Sequence, residues 1–182
     1  MDAGTAKIDS ALGVLGVARA TADQAHTVRA LRDDLARWML QREIRQWRPG
    51  ELPVELIDLC IGEGAVHVVS LGDRLVGSVT VVWEDPLVWG KRPEPAGYIH
   101  MLMVNREFCG YGIGGSILQW AERSISETGH SVARLDCVKD NRPLRAYYEA
   151  AGYGFVEDKA FPDIDWGGES ALYEKRLVPG AG

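Results

Sequence analysis

Residues 98–116 have the sequence YIHMLMVNREFCGYGIGGS, in which an apolar run passes almost directly into a cluster of glycines. The apolar half, ending at Val104, predicts a buried β-strand. After the glycines, Ser116–Glu127 has apolar residues at three- and four-residue steps, which predicts a helix. The glycines therefore join a strand to a helix, and a backbone without side chains at this junction can approach a ligand closely.

A pyrophosphate is the ligand type that such a junction favours, because the first amides of a helix lack internal acceptors and carry partial positive charge. A P-loop is excluded, since Gly114 is followed by Gly115-Ser116-Ile117 with no lysine. A Rossmann turn matches Gly110–Gly115 literally, with Asp136 at a plausible distance. It stays a weaker alternative because the motif follows hairpin strands instead of opening the fold. A tight turn without ligand is the third interpretation.

Periodicity predicts the remaining elements. They are a strand at Leu12–Ala20, a helix starting at the capping box Thr21–Gln24 and ending near Leu40, a helix from Pro53, a hairpin of Ala65–Ser70 and Arg74–Trp83, a strand at Val132–Val138, a helix at Arg142–Ala150, and strands at Tyr153–Asp158 and Ser170–Val178. Hairpins impose antiparallel neighbours and strand-helix-strand units parallel ones. We expect one α/β domain over residues 1–182, with residues 1–10 as a flexible tail.

The composition narrows the functional classes. A net charge of −6 argues against a nucleic-acid binder with a broad basic surface. The three cysteines lack CxxC spacing, so neither a disulfide framework nor a metal site is expected. No apolar run approaches the length of a membrane span. We therefore expect a cytoplasmic protein without nucleic-acid or membrane partners.

Two stretches together resemble the GNAT superfamily of N-acetyltransferases. Met101–Gly114 is similar to its acyl-CoA motif, in which Arg or Gln precedes two variable residues, Gly, one residue, and Gly or Ala. Gly112 and Gly114 occupy the glycine positions, and Cys109 occupies the Arg or Gln position. Leu135–Tyr153 resembles the family's sequence of strand, Asn, helix, Tyr and Gly-Phe, with Tyr153 in the Phe place.

The resemblance implies a GNAT-like mixed sheet of about seven strands with about four helices, and a splayed strand pair that binds acyl-CoA. Acetyl-CoA is the implied acyl donor. The implied main-chain contacts to its pantetheine arm come from Met103 and Val104, with Asn141 as a side-chain contact. The residues expected around the pyrophosphate are Cys109, Gly110, Tyr111, Gly112, Ile113, Gly114 and Gly115.

Tyr148, seven residues after Asn141, matches the family tyrosine that protonates the departing CoA sulfur. We expect Tyr147 to be the core residue of this pair, since it points about 100° away on the helix. Asn141 is also a candidate helix N-cap.

The base that deprotonates the amine is open between candidates. Strand alternation puts Tyr98, His100, Leu102 and Val104 on one face, and His100 is a candidate base. Glu84 and Asp85 are candidates for binding or deprotonating a cationic amine. Three aromatic residues, Trp83, Trp89 and Tyr98, are candidate walls of the acceptor pocket.

The function expected on this basis is direct transfer of an acetyl group from acetyl-CoA to a primary amine of a small molecule, a peptide N-terminus or a lysine. The alternative is a catalytically degenerate module that binds or senses acyl-CoA. A homodimer is compatible with the sequence.

Overall fold

The computed structural model describes residues 5–161 and 168–178. Eight strands form one mixed sheet in the order β1-β2-β3-β4-β5-β6-β8-β7. The strands are β1 (Ala6–Ser10), β2 (Gly13–Arg19), β3 (Val66–Leu71), β4 (Arg74–Val82), β5 (Gly97–Val104), β6 (Val132–Val138), β7 (Gly154–Ala160) and β8 (Glu169–Arg176). The helices are α1 (Ala25–Leu40), α2 (Val54–Gly62), α3 (Ile113–Glu127) and α4 (Arg142–Ala150).

The expected mixed α/β class is confirmed, with eight strands where about seven were expected. Within the described ranges, no helix combines the length and apolar character needed to cross a membrane. The predicted capping box precedes α1, because the Thr21 amide donates a hydrogen bond to Gln24 Oε1 at 3.0 Å.

The additional strand is β1, which corrects the expectation of a flexible tail over its second half. Ala6–Ser10 pairs antiparallel with β2, and Ile8 is buried in the core beside Leu15. Polar Lys7 and Asp9 flank Ile8, so the period-two pattern is too short to be recognised without its partner strand. Residues 1–4 of the expected tail lie outside the described residues.

Two apolar clusters cover opposite faces of the sheet. On one face, α1 and α2 bury Val28, Leu35 and Ile57 against β3. On the other face, α3 buries Ile117 in a cluster that also contains Tyr148 of α4. Each such fully buried side chain contributes about 1.5–3 kcal/mol relative to an exposed one. The sheet is thereby held between two helical layers.

The centre of the sheet contains an irregularity in β5. Ser78 pairs with Met103 and Thr80 pairs with His100, so β5 carries one extra residue between these pairs. Met101 in this bulge has a φ of 45°, an uncommon value for a non-glycine residue. The parallel pairing with β6 is confined to Gly97↔Ala133 and Tyr98↔Arg134 among the described residues. Beyond Tyr98 the two strands separate.

The bulge also overturns the expected alternation of side chains. Leu102 and Val104 pack in the same cluster as Ile99, whereas Tyr98 packs in a separate cluster with Trp89. The extra residue at Met101 reverses the inward and outward order for the rest of the strand. The expectation that Tyr98, His100, Leu102 and Val104 share one face is therefore wrong.

We predict that Gly77→Ala destabilises the fold by about 1–3 kcal/mol, because a Cβ at this position would lie 2.4 Å from the Met103 carbonyl oxygen. Urea unfolding measures the change. The matched control is Gly62→Ala in α2, where a Cβ meets nothing within 4 Å. We expect this control to be neutral or to stabilise by up to about 1 kcal/mol. Equal effects of the two substitutions would contradict the close approach of β4 to the bulge.

Candidate active site

A cavity of about 630 Å³ occupies the gap between the separating strands β5 and β6. Its lining runs from the glycine turn through Val104 and Tyr148 to His100 and Asp136. A second cavity of about 650 Å³ adjoins it and shares Trp38 and Tyr147 as walls. The site is therefore a long cleft, and we call the end formed by His100 and Asp136, where β5 and β6 part, its closed end.

The glycine turn forms the open end of the main cavity. Gly110 and Gly112 have φ values of 88° and 71°, which favour glycine, and Gly112 is the N-cap of α3. Helix α3 begins at Ile113, three residues earlier than predicted, so the first helical amides belong to the turn itself. The expected residues that line the cavity are Cys109, Gly110, Gly112, Ile113, Gly114 and Gly115.

Three other expected cofactor residues lie differently. Tyr111 is exposed and is not among the cavity residues. Val104 lines the cavity, whereas the Met103 side chain is buried on the opposite face, so only the main chain of Met103 is available to a ligand. The main-chain role expected for Met103 stays a prediction.

Tyr148 lies in the wall of the cavity and is 8% exposed. Its ring packs against Tyr153 and Tyr173, with centroids 6.0 and 6.4 Å away. Burial raises the pKa of Tyr148 well above its usual value, so the hydroxyl keeps its proton. Tyr147 is 37% exposed and lines both cavities, so the expectation that Tyr147 is the core residue is wrong.

Asn141 is the N-cap of α4, since its Oδ1 accepts from the Leu144 amide at 3.3 Å. Its Nδ2 donates to Gln46 Oε1 at 2.7 Å, which ties the segment between α1 and α2 to α4. Asn141 lines the second cavity and Gln46 the main one. The structural role expected for Asn141 is thus present, and its amide also borders the cleft.

Three ionisable side chains meet at the closed end of the cleft. His100 and Asp136 each lie two positions beyond Tyr98↔Arg134, the last pair that β5 and β6 share. His100 Nε2 lies 3.2 Å from Asp85 Oδ2, and His100 Nδ1 lies 4.0 Å from Asp136 Oδ1. The Asp85 side chain is only 8% exposed, and its Oδ1 accepts from the Val88 amide at 3.0 Å. Asp85 therefore holds the ring of His100 from behind, while Asp136 faces the cavity.

The environment shifts all three pKa values. Burial opposes the charged form of His100, but the contact with Asp85 and the charge of Asp136 outweigh it and raise the His100 pKa above 6.5. Burial likewise opposes ionised Asp85, yet His100 and the Val88 amide hold the Asp85 pKa below its ordinary value. For Asp136, burial prevails and raises the pKa. Ionisable groups with perturbed pKa values beside a cleft make this end of the cavity a candidate functional site.

Several expected acceptor residues lie elsewhere. Trp83 is exposed and stacks on His130 at 4.8 Å, and Glu84 is exposed outside both cavities. Tyr98 and Trp89 are buried in a separate cluster, where the Tyr98 hydroxyl accepts from Arg134 at 2.9 Å. Tyr98 lies on the part of β5 that is still paired with β6, whereas Trp83, Glu84 and Trp89 lie between β4 and β5, outside both cavities.

The aromatic walls that the structure does provide were missed. Trp38 and Trp47 line the main cavity, and Arg106 lies over the Trp38 ring with its guanidinium 3.9 Å from the centroid. The sequence signal for Trp38 was its position at the end of an amphipathic helix, which also fits ordinary packing. Asp136 was noticed only for its distance from the glycines.

Comparison with known proteins identifies the family to which this chain belongs. The model of the acetyltransferase (GNAT) family matches residues 31–153. The chain is 32% identical over 142 residues to a Bacillus subtilis (strain 168) protein called "Uncharacterized N-acetyltransferase YesJ", covering 74% of this chain and 78% of that protein. Both matches are to acyltransferases, which agrees with the expected enzyme class.

Solved structures give the same class. A GNAT family acetyltransferase from Listeria monocytogenes 4b F2365 superposes with a TM-score of 0.74 at 25% identity, covering 94% of this chain and 100% of the other. The putative acetyltransferase yncA from Salmonella typhimurium, solved with its cofactor acetyl-CoA, has a TM-score of 0.68 at 10% identity, covering 92% and 96%. The chain belongs to the GNAT family of acetyltransferases, and nothing in these relatives supports a degenerate sensing module.

We predict that Asp85→Asn lowers the His100 pKa, because the variant removes the anion 3.2 Å from Nε2. A raised folded-state pKa stabilises the fold below the unfolded value near 6.5, and this contribution disappears as the pH rises through the folded value. Asp85→Asn should therefore lose more stability at pH 6 than at pH 9. Ring ¹H–¹⁵N NMR titration of His100 measures the shift. Glu84→Gln removes the same charge from the exposed neighbour, and an equal shift in that variant would contradict the ion pair.

Proposed function

We propose that this chain transfers the acetyl group of acetyl-CoA directly to a primary amine of a small molecule or peptide. The observation that carries the proposal is the continuous cleft that joins the glycine turn, Tyr148 and the His100–Asp136 pair. This order supplies a pyrophosphate site, an acid and a base along one line.

The donor end is supported by two features of the backbone. The first amides of α3 point into a turn where Gly110 and Gly112 leave room for a diphosphate. Beyond Tyr98, the edge of β5 towards β6 has no partner among the described strands, so Met103 and Val104 can pair with the amides of pantetheine as an added strand would. The acetyl-CoA bound in the yncA structure supports the same donor.

The proposed reaction uses His100 as base and Tyr148 as acid. The acceptor ammonium gives one proton to neutral His100 Nδ1, and the free amine attacks the thioester carbonyl carbon. The C–S bond then breaks, and the departing thiolate takes the Tyr148 proton. Tyr148 recovers a proton from the nitrogen that has become the amide, so the net release is one proton, from His100 to solvent. Proton transfers of this kind contribute about 10²–10⁴-fold each.

Direct transfer is favoured over a covalent acyl-cysteine. Cys137 lines the cavity beside Tyr148, but burial raises the Cys137 pKa to about 12. The thiolate is the nucleophilic form, so this side chain is protonated at neutral pH. Cys109 belongs to the glycine turn at the opposite end of the cleft from His100.

We predict that Tyr148→Phe lowers kcat by about 10²-fold or more, because the variant keeps the packed ring and removes the proton donor. Release of free CoA thiol in the presence of amines measures the rate, and calorimetry measures acetyl-CoA affinity, which should be retained. Tyr153→Phe is the matched control, because the Tyr153 hydroxyl is buried beside Glu122 and Tyr153 lines neither cavity. If acetyl-CoA binds but no amine accelerates thiol release in the wild type, the proposed function is wrong.

We predict that Cys109→Arg changes acetyl-CoA affinity less than about threefold, whereas Gly112→Ala weakens it clearly. Recognition by main-chain amides does not need the side chain at position 109, but Ala at a φ of 71° costs about 1–2 kcal/mol and distorts the start of α3. Calorimetric titration with acetyl-CoA distinguishes the two. A large gain in affinity in the Cys109→Arg variant would mean that the native turn depends on a side-chain contact that it lacks.

A further inference from the structure

We infer that Asp136 binds the ammonium group of the acceptor beside His100, and that the cleft therefore selects amines with no carboxylate next to the nitrogen. This inference rests on the proposed function and names the class of acceptor for the same site. It concerns a residue that occupies the closed end of the cleft and has no role assigned by the two sequence motifs of acyl-CoA binding.

The geometry leaves a place for one nitrogen atom. The 4.0 Å between His100 Nδ1 and Asp136 Oδ1 is too long for a hydrogen bond. A nitrogen placed about 2.8 Å from both atoms bridges this gap and donates one N–H to each. Both residues line the cavity, and each is partly exposed to it, with side-chain exposures of 27% and 19%.

The charges around this place favour a cation. Asp85 lies behind the ring of His100, Asp136 lies in front of it, and Ser170 of β8 lines the cavity beside them. The positive charge of Lys159 helps to lower the pKa of Asp85, but its Nζ donates hydrogen bonds to the carbonyl oxygens of Leu87 and Val88. When His100 is neutral and ready to act as a base, two carboxylates remain and the closed end carries a net negative charge.

The same charges disfavour an anion on the acceptor. A carboxylate on the carbon that bears the amine would lie within a few ångströms of Asp136, in surroundings made apolar by Val88, Ile99 and Met101. Like charges at such a distance repel strongly when water is excluded. Among the described residues that line the main cavity, Arg106 is the remaining charged side chain, and it lies beyond the end of β5, stacked on Trp38. Within the described part of the chain, no cation lining the closed end is therefore placed to pair with such a carboxylate.

The matched probes are phenylalaninamide and phenylalanine, and norleucinamide and norleucine, which differ within each pair in the carboxylate. We expect kcat/KM for the amides to exceed that for the acids by at least about tenfold. Asp136→Asn should lower kcat/KM for the amides by about 10–100-fold, as expected for losing a hydrogen bond to a charged group. It should also reduce the preference for amides to less than about threefold and move the acid limb of the pH profile to lower pH.

Three controls separate this role from a structural one. Asp73→Asn removes one negative charge from the exposed β3–β4 turn and should leave rates and the amide preference unchanged. Asp136→Glu should restore part of the preference, and acetyl-CoA affinity should be the same in all variants. If Asp136→Asn does not fold, NMR of the wild type gives the answer, because a saturating amide with CoA bound should lower the His100 pKa by placing an ammonium beside it.

The inference is overturned if acids and amides react equally well, or if Asp136→Asn keeps the full preference. It is also overturned if EDTA abolishes activity and a divalent cation restores it, since the ligating atoms of Asp85, His100 and Asp136 lie within 4.8 Å of one another and would then hold a metal ion. A wild type that binds acetyl-CoA and acetylates no amine removes the proposed function itself, which is a different result from an amine acetyltransferase without charge preference.

Discussion

The separation of β5 from β6 is the constraint on which the rest of the site depends. Two parallel pairs hold the strands together, and then the extra residue at Met101 turns β5 away from its neighbour. Where hydrogen bonds between strands are missing at the centre of a sheet, main-chain groups are left unpaired. This raises the free energy of the fold unless a ligand or water takes the place of the missing strand. The remaining strands stay paired on both sides, so the opening is held by β4 and β8 and does not close by collapse.

The position of the ionisable groups follows from this opening. His100 and Asp136 come from strands that are distant in sequence, and each lies two residues beyond the last shared pair. In a continuous sheet, β5 and β6 would stay paired beside these two residues, whereas here both residues line a cavity. The buried carboxylate of Asp85, fixed by the Val88 amide, then sets the orientation of the imidazole. The arrangement of these three ionisable groups thus depends on β5, β6 and the loop after β4 meeting at one point.

Helix α4 connects the wall of the cleft to the core. Asn141 caps its first turn and contacts Gln46, while Tyr148 packs among aromatic rings and keeps its hydroxyl in the cavity wall. Because the same residues start the helix, anchor it and border the cleft, stability and function are coupled in this segment. Such coupling would allow a helix of nine residues to hold the proposed proton donor in place.

The sequence by itself determined the element types, the glycine turn, the two acyl-CoA stretches and the mixed sheet, because these follow from local periodicity and from residues close together in the chain. It indicated Tyr148 as a candidate acid by its spacing from Asn141. The tertiary structure decided which side chains face the cleft. The bulge at Met101 reversed the side-chain order of β5, strand pairing turned Lys7-Ile8-Asp9 into β1, and Trp83 and Tyr98 were packed away from the site. Asp136 and Trp47 line the cavity only because segments that are distant in sequence meet at the gap. Local sequence patterns do not show which distant segments come together.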